Sequence, residues 1–179
     1  CNSKAKVVLW NHGSLSGMKN GNTIRDITRR AFWCWMLGKW LKSADGAMAI
    51  SHGIKKMVLQ CNPELNVELV FNPINLGDRK LIINNSETPI FIYVGRLEDR
   101  QKNLSLLIDA LADVSEFSWE LKVFGDGPSG DKIKKYANSK NINNKITWYG
   151  FVEDPFEKVD KATCLILTSR FEGFPLVLV

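Results

Sequence analysis

Short apolar runs alternate with longer segments whose apolar residues recur at helical spacing, and the alternation holds along the whole chain. The runs at 6–10, 46–50, 66–71, 89–94, 120–124, 145–149 and 163–168 predict strands. Val7-Val8-Leu9-Trp10 and Ile90-Phe91-Ile92-Tyr93-Val94 show the unbroken hydrophobicity of strands covered on both faces. Between the runs, the spacing predicts helices over about 23–42, 52–61, 103–115, 129–140 and 155–161. Strands that alternate with helices are joined in parallel, because a parallel crossover needs about the length of a helix, so the expected fold class is α/β.

The periodicity breaks at residues 72–88, where Pro73, Gly77 and several asparagines precede the fresh strand. Prolines and polar turn formers deny the backbone a continuous ladder, which predicts a junction between two domains, 1–74 and 75–179. The helix over 23–42 carries Trp33, Met36, Leu37, Trp40 and Leu41 on one face, with Arg25, Arg29, Arg30, Lys39 and Lys42 elsewhere along it. Two readings stay open for that stripe: it packs on its own sheet, or it meets an anionic membrane surface, where indoles sit half wet and cations find lipid phosphates.

Composition adds little to this picture. The chain is 45% hydrophobic and 24% charged, as ordinary globular domains are. Its 24 Lys and Arg against 19 Asp and Glu give +5, which favours anionic partners without choosing among nucleic acid, membrane and nucleotide phosphate. Cys1, Cys34, Cys61 and Cys164 are far apart with no Cys-x-x-Cys pair and no histidine cluster, so reduced thiols in a cytosolic compartment are expected rather than disulfides or zinc. No run approaches the about 20 apolar residues that span a bilayer, and no signal-peptide pattern is present in what is shown. The chain opens on Cys1, close to a run that already resembles an interior strand, and is read as an internal fragment.

Candidate chemistry gathers after the junction. Val94-Gly95-Arg96-Leu97 follows a strand and leads through Glu98-Asp99-Arg100-Gln101 to Lys102-Asn103-Leu104. Gly95 lets the backbone approach a ligand, and a guanidinium fork with an ammonium suits a diphosphate, although an isolated Arg and Lys at this spacing fit surface charge as well. Val123-Phe124-Gly125-Asp126-Gly127-Pro128 reads as a phosphate loop or an ordinary turn, and it lacks both Gly-x-Gly-x-x-Gly and a Walker lysine. Trp148-Tyr149-Gly150-Phe151-Val152 could hold a planar base or belong to a core. Ser169-Arg170-Phe171-Glu172-Gly173-Phe174-Pro175 places a carboxylate in a turn ahead of an apolar run. Each segment follows a strand, so in a parallel sheet all four loops share one edge.

Together these segments resemble the retaining glycosyltransferases of GT-B fold, and within them the bacterial lipopolysaccharide-core hexosyltransferases. The resemblance is strong over 89–179 and weaker over 1–75. It implies two Rossmann-like domains with parallel sheets, both incomplete here. It also implies transfer of a hexose from a UDP-sugar donor to a glycolipid or polysaccharide acceptor, with no metal and no cofactor. The candidate catalytic residues it implies are His12, Arg96, Lys102 and Glu172. Arg96 and Lys102 would take the donor diphosphate in place of a metal, which agrees with the lack of any Asp-x-Asp pair. Glu172 matches the first carboxylate of the family's Glu-x7-Glu motif and would face the donor sugar, as would His12. Gly95, Gly125, Phe151, Val152, Gly173 and Phe174 complete the implied donor site, with Phe151 and Val152 near the base. The second carboxylate of the motif would fall one residue past Val179. Ile50-Ser51-His52-Gly53-Ile54-Lys55 resembles the family's Ile-Ser-x-x-x-Lys segment, with Ser51 as a helix cap, and Val70-Phe71-Asn72-Pro73-Ile74 resembles its domain junction.

The resemblance further implies a protein at the cytoplasmic face of the inner membrane, in peripheral contact with anionic lipid and not bound to nucleic acid. The isolated chain is expected to be inactive as a transferase. Two alternatives remain: a nucleotide-sugar epimerase of the same fold, and a non-catalytic glycan- or nucleic-acid-binding protein.

Overall fold

A computed structural model describes residues 6–11, 24–74 and 87–178 of the chain. His12 and most of the 72–88 junction lie outside the described residues. The chain divides into two compact units, Cys1–Asn75 with Phe171–Leu176, and Leu76–Arg170 with Val177–Val179.

In the first unit, β1 (Val8–Asn11), β2 (Gly46–Ala49) and β3 (Val67–Leu69) form a parallel sheet in the order β1-β2-β3. The crossovers are α1 (Ile24–Lys42) and α2 (His52–Cys61). Ala47 and Ala49 in the central strand are small enough to let Leu41, Ile54 and Val58 close over the sheet, and all five are buried. Ser51 caps α2 as expected, its hydroxyl accepting the Ile54 N–H at 3.3 Å. Burial, with Cys34 alongside, pushes the Cys61 thiol up from its ordinary value.

The aromatic stripe of α1 is not one face. Leu41 is buried and Leu37 packs on the core, but Trp40 is 59% exposed, and Phe32 and Trp35 stand at 52% and 57%. At about 100° per residue, Phe32, Trp35 and Lys39 lie on the arc opposite Leu37 and Leu41. Phe32 and Trp35 thus lie outside the expected stripe, within which Leu41 is buried and Trp40 exposed.

In the second unit, β4 (Ile90–Val94), β5 (Glu120–Phe124), β6 (Ile146–Gly150) and β7 (Cys164–Leu165) form an all-parallel sheet in the order β6-β5-β4-β7. Strand alternation sends Tyr93, Leu121 and Val123 to one face, where α4 (Leu104–Ala112) covers them with Leu104, Leu107, Ile108 and Leu111, and α5 (Gly130–Ser139) with Ile133 and Ala137. Ile92 and Phe124 point the other way, under Val152, Phe156, Val159 and Ala162. Across the helical layer, Lys140 and the Tyr136 hydroxyl both bond Asp109 at 2.7 Å and hold its carboxyl below the usual range.

Three elements differ from expectation. The helix expected over 103–115 is α4, and an additional turn, α3 (Asp99–Lys102), precedes it, separated because Asn103 sits at φ 54°, ψ 44° and turns the chain left-handed. The helix expected over 155–161 is a single 3-10 turn, Pro155–Glu157, capped by Asp154, which leaves Phe156 and Val159 free to cover the sheet. The strand expected over 163–168 stops at Leu165; the Ile166 N–H still reaches the Ile92 carbonyl, and beyond it the chain turns toward residues 101–103.

The strand order fixes where a ligand can enter. From β4 the chain steps outward to β5 and β6, then returns to the other side of β4 as β7. The carboxyl ends of β4 and β7 therefore flank the point where the winding reverses, the crevice in which open α/β sheets bind ligands.

Candidate functional site

Backbone hydrogen bonds weld the loops at the carboxyl edge of the second unit. The Gly95 N–H donates to the Phe124 carbonyl (3.0 Å), Leu97 N–H to Asp126 (2.9 Å), Ser129 N–H back to Leu97 (2.9 Å) and Gly125 N–H to Gly150 (2.7 Å). The Asp99 N–H adds a bond to the Ser129 hydroxyl at 3.1 Å. The loops lie so close that a Cβ on Gly127 would stand 2.7 Å from the Leu97 carbonyl oxygen, and one on Gly125 would overlap the Gly95 carbonyl. Gly125 also has φ +136°, which L side chains rarely adopt. Beneath them, the hydroxyl of fully buried Tyr93 donates to the Arg96 carbonyl at 3.1 Å.

On this frame Arg96 is exposed and Lys102 half-buried at the end of α3. Their cationic groups therefore extend from a loop and a one-turn helix that both follow β4, at the topological switch point. Asp99, the nearest carboxylate in sequence to the middle of this loop, is turned away from ligand duty: it accepts the Ser105 N–H (2.7 Å) and hydroxyl (2.6 Å), and so caps α4.

Of the remaining expected site residues, Gly95 and Gly125 form the contact between two loops, the Gly125 N–H donating to the Gly150 carbonyl and the Gly127 N–H to the Asp126 carboxylate. Phe151 is 80% exposed, directly after β6. Val152 is half-buried on the sheet face with Ile92, Phe124 and Val159, and Tyr149 stacks on Phe124 at 4.4 Å. Glu172, Gly173 and Phe174 belong to the segment that groups with the first unit, where Phe174 packs on that unit's core with its ring 6.0 Å from Phe71. Among the described residues no cluster of three or more His, Cys, Asp or Glu could hold a metal ion.

Sequence reasoning missed the supporting residues Asp99, Asn103, Ser129, Thr168 and Arg170. An Asn directly after the expected lysine was the one signal for a left-handed turn there; the others act through partners distant in sequence.

Two parallel α/β units of Rossmann type are the architecture of the GT-B glycosyltransferases. The chain belongs to the glycosyl transferases group 1 family, whose model matches residues 78–179. It is 37% identical over 147 residues to the lipopolysaccharide 1,6-galactosyltransferase of Escherichia coli strain K12, covering 78% of this chain and 41% of that protein. A second match, 33% over 144 residues, is the protein of the same name from Salmonella typhimurium strain LT2, covering 75% of this chain and 39% of the relative. The solved structure of the lipopolysaccharide outer core galactosyltransferase WaaB in its apo form superimposes with a TM-score of 0.67 at 33% identity, over 76% of this chain and 40% of that one. The chain thus spans about two fifths of the length of the curated relatives it matches.

Proposed function

We propose that this protein is a retaining, metal-independent glycosyltransferase that moves a hexose from a UDP-sugar to a hydroxyl of a glycolipid or polysaccharide acceptor in lipopolysaccharide core synthesis. The observation that carries the reading is the placement of Arg96 and Lys102 on the loop after β4, at the switch point of a sheet whose family transfers sugars. Arg96 offers a planar fork and Lys102 a point charge, which together neutralise the charge that grows on a departing diphosphate. That is the electrostatic role a divalent ion would otherwise fill, and no cofactor is required. Glu172 accepts hydrogen bonds from hydroxyls of the donor sugar, His12 orients the sugar, and the backbone amides around Gly173 and Phe174 lie near sugar and phosphate. The base lies near Phe151 and Val152. The leaving phosphate takes the acceptor proton as the acceptor attacks the face from which it departs.

The deciding experiment incubates the intact gene product with UDP-glucose, UDP-galactose or UDP-N-acetylglucosamine and a membrane glycolipid acceptor. We expect one donor to be consumed only when acceptor is present. Epimerised UDP-sugar without acceptor would make the protein an epimerase instead.

A glycolipid acceptor places the enzyme at the cytoplasmic face of the inner membrane, and α1 supplies a surface for it. Phe32 and Trp35 pack ring to ring at 6.1 Å on the arc facing away from the sheet, and the Lys39 ammonium lies 4.4 Å from the Trp35 ring centre. Lys42 follows one turn later. Half-wet aromatics beside cations suit the headgroup layer of an anionic bilayer. Among the described residues no helix is long and apolar enough to cross a membrane, so the contact proposed is peripheral. The protein is expected to float with phosphatidylglycerol vesicles and not with phosphatidylcholine vesicles, and Phe32→Ser with Trp35→Ser should abolish flotation. Equal flotation of the double variant would exclude this surface.

A further inference from the structure

The segment that closes on Lys102 is built with more care than a passing loop requires. The Thr168 hydroxyl donates to the Lys102 carbonyl at 2.9 Å, the Arg170 N–H donates to the Gln101 carbonyl at 2.8 Å, and the Arg170 Nη2 donates to the Asn103 Oδ1. These acceptors sit on three consecutive residues with Lys102 in the middle. Two of them are the last carbonyls of α3, which no later turn of that helix can satisfy. Ser169 contributes nothing to the clip, since its buried hydroxyl has no partner.

A four-residue helix does not hold itself, because nucleation costs more than one turn returns. Its start is pinned by the Asp99 bonds to Ser105 and Ser129. Its end is pinned by Thr168 and Arg170. The identity of residue 103 is informative. Glycine would satisfy φ 54° without strain, yet asparagine is present, 9% exposed, making no cap bond to its own helix and giving its amide oxygen to Arg170. A buried amide needs a partner, and the guanidinium of Arg170 provides it.

We infer that Asn103 and Arg170 are positioning residues that fix the backbone on both sides of Lys102 and so set where its ammonium stands before ligand arrives. The inference rests on the reading of Lys102 as a diphosphate ligand. With the clip in place, the backbone that carries the Lys102 side chain is held on both sides. Without it the whole turn moves, and the cost of ordering that turn is transferred to binding. Arg170 is also two residues ahead of Glu172, so the chain that pins the diphosphate cation runs directly into the sugar-facing carboxylate.

The test compares UDP and uridine binding by calorimetry in the intact gene product. Asn103→Gly keeps the left-handed turn and deletes only the acceptor; Thr168→Val is nearly isosteric and deletes only the donor, which guards against a variant that fails to fold. Each should weaken UDP about fivefold, the worth of one hydrogen bond, and leave uridine unchanged. Thr168→Ser should restore wild-type binding. In a Lys102→Ala background Asn103→Gly should have no further effect, which a general loosening of the fold would not reproduce. The inference is overturned if Lys102→Ala weakens UDP while Asn103→Gly and Thr168→Val do not, or if they weaken uridine equally. If Lys102→Ala itself leaves UDP binding intact, the diphosphate reading falls and this inference falls with it.

Discussion

Gly125→Ala is expected to destabilise the protein by about 3–5 kcal/mol, or to prevent folding, although it adds one methyl group. Two costs coincide at this position. The new Cβ would overlap the Gly95 carbonyl oxygen, and φ +136° is a region that L side chains rarely adopt. Neither can be relieved locally, because the Gly95 N–H is bonded to Phe124 and the Gly125 N–H to Gly150, so both strands would have to separate. Gly150→Ala is the control: it too has positive φ, at +72°, but nothing lies within 4 Å of its Cβ. Only the left-handed penalty of about 1–2 kcal/mol remains there. Thermal unfolding measures both, with a fall of about 10 °C or more expected for Gly125→Ala and less than half of that for Gly150→Ala. Equal melting of the two variants would mean that the loops can part at little cost and that the weld does not hold the edge.

Arg96→Ala and Lys102→Ala are expected to weaken UDP binding by about 10- to 100-fold each, as the loss of a charge-assisted hydrogen bond to a phosphate predicts. Uridine, which carries no phosphate, should bind both variants as it binds the parent. The unfolding midpoint should stay unchanged for Arg96→Ala, because the side chain is exposed. Arg96→Lys should recover only part of the loss, since an ammonium restores the charge and not the two-pronged geometry. Raising the salt should weaken UDP binding in the parent more than in either variant. Unaltered UDP affinity in both variants, together with RNA binding that UDP does not displace, would favour a nucleic-acid-binding protein over a transferase.

These two results probe different levels of the same loop, and the sequence disclosed them unequally. Gly95, Arg96 and Lys102 stand out only through the order of glycine-bearing segments after successive strands and the family resemblance which that order carries, since an isolated Arg and Lys at this spacing fit surface charge as well. The frame that aims them does not stand out. Residue 103 marks the start of an expected helix, and only the structure shows it as a left-handed break that also ends a preceding turn, α3, at Lys102. The aromatic stripe of α1 was read as one face because Trp33 and Trp40 share an arc with Leu37, yet Trp40 remains exposed while Leu41 is buried. Hydrophobicity marks what can be buried; how far the sheet reaches beneath the helix decides what is buried.

By itself the sequence determined the α/β class, the positions of most strands and helices, and the family, since apolar runs, helical spacing and glycine-bearing turns are local properties that survive without knowledge of their neighbours. Tertiary structure decided the rest. It set the order β6-β5-β4-β7, and hence a switch point at β4 and β7. It spent the Gly125 N–H on the Gly150 carbonyl, and it brought Thr168 and Arg170 onto residues 101–103 across 66 and 67 positions of chain. Such pairings carry no local signal, because each partner is chosen by where the sheet places it and not by the residues beside it in sequence.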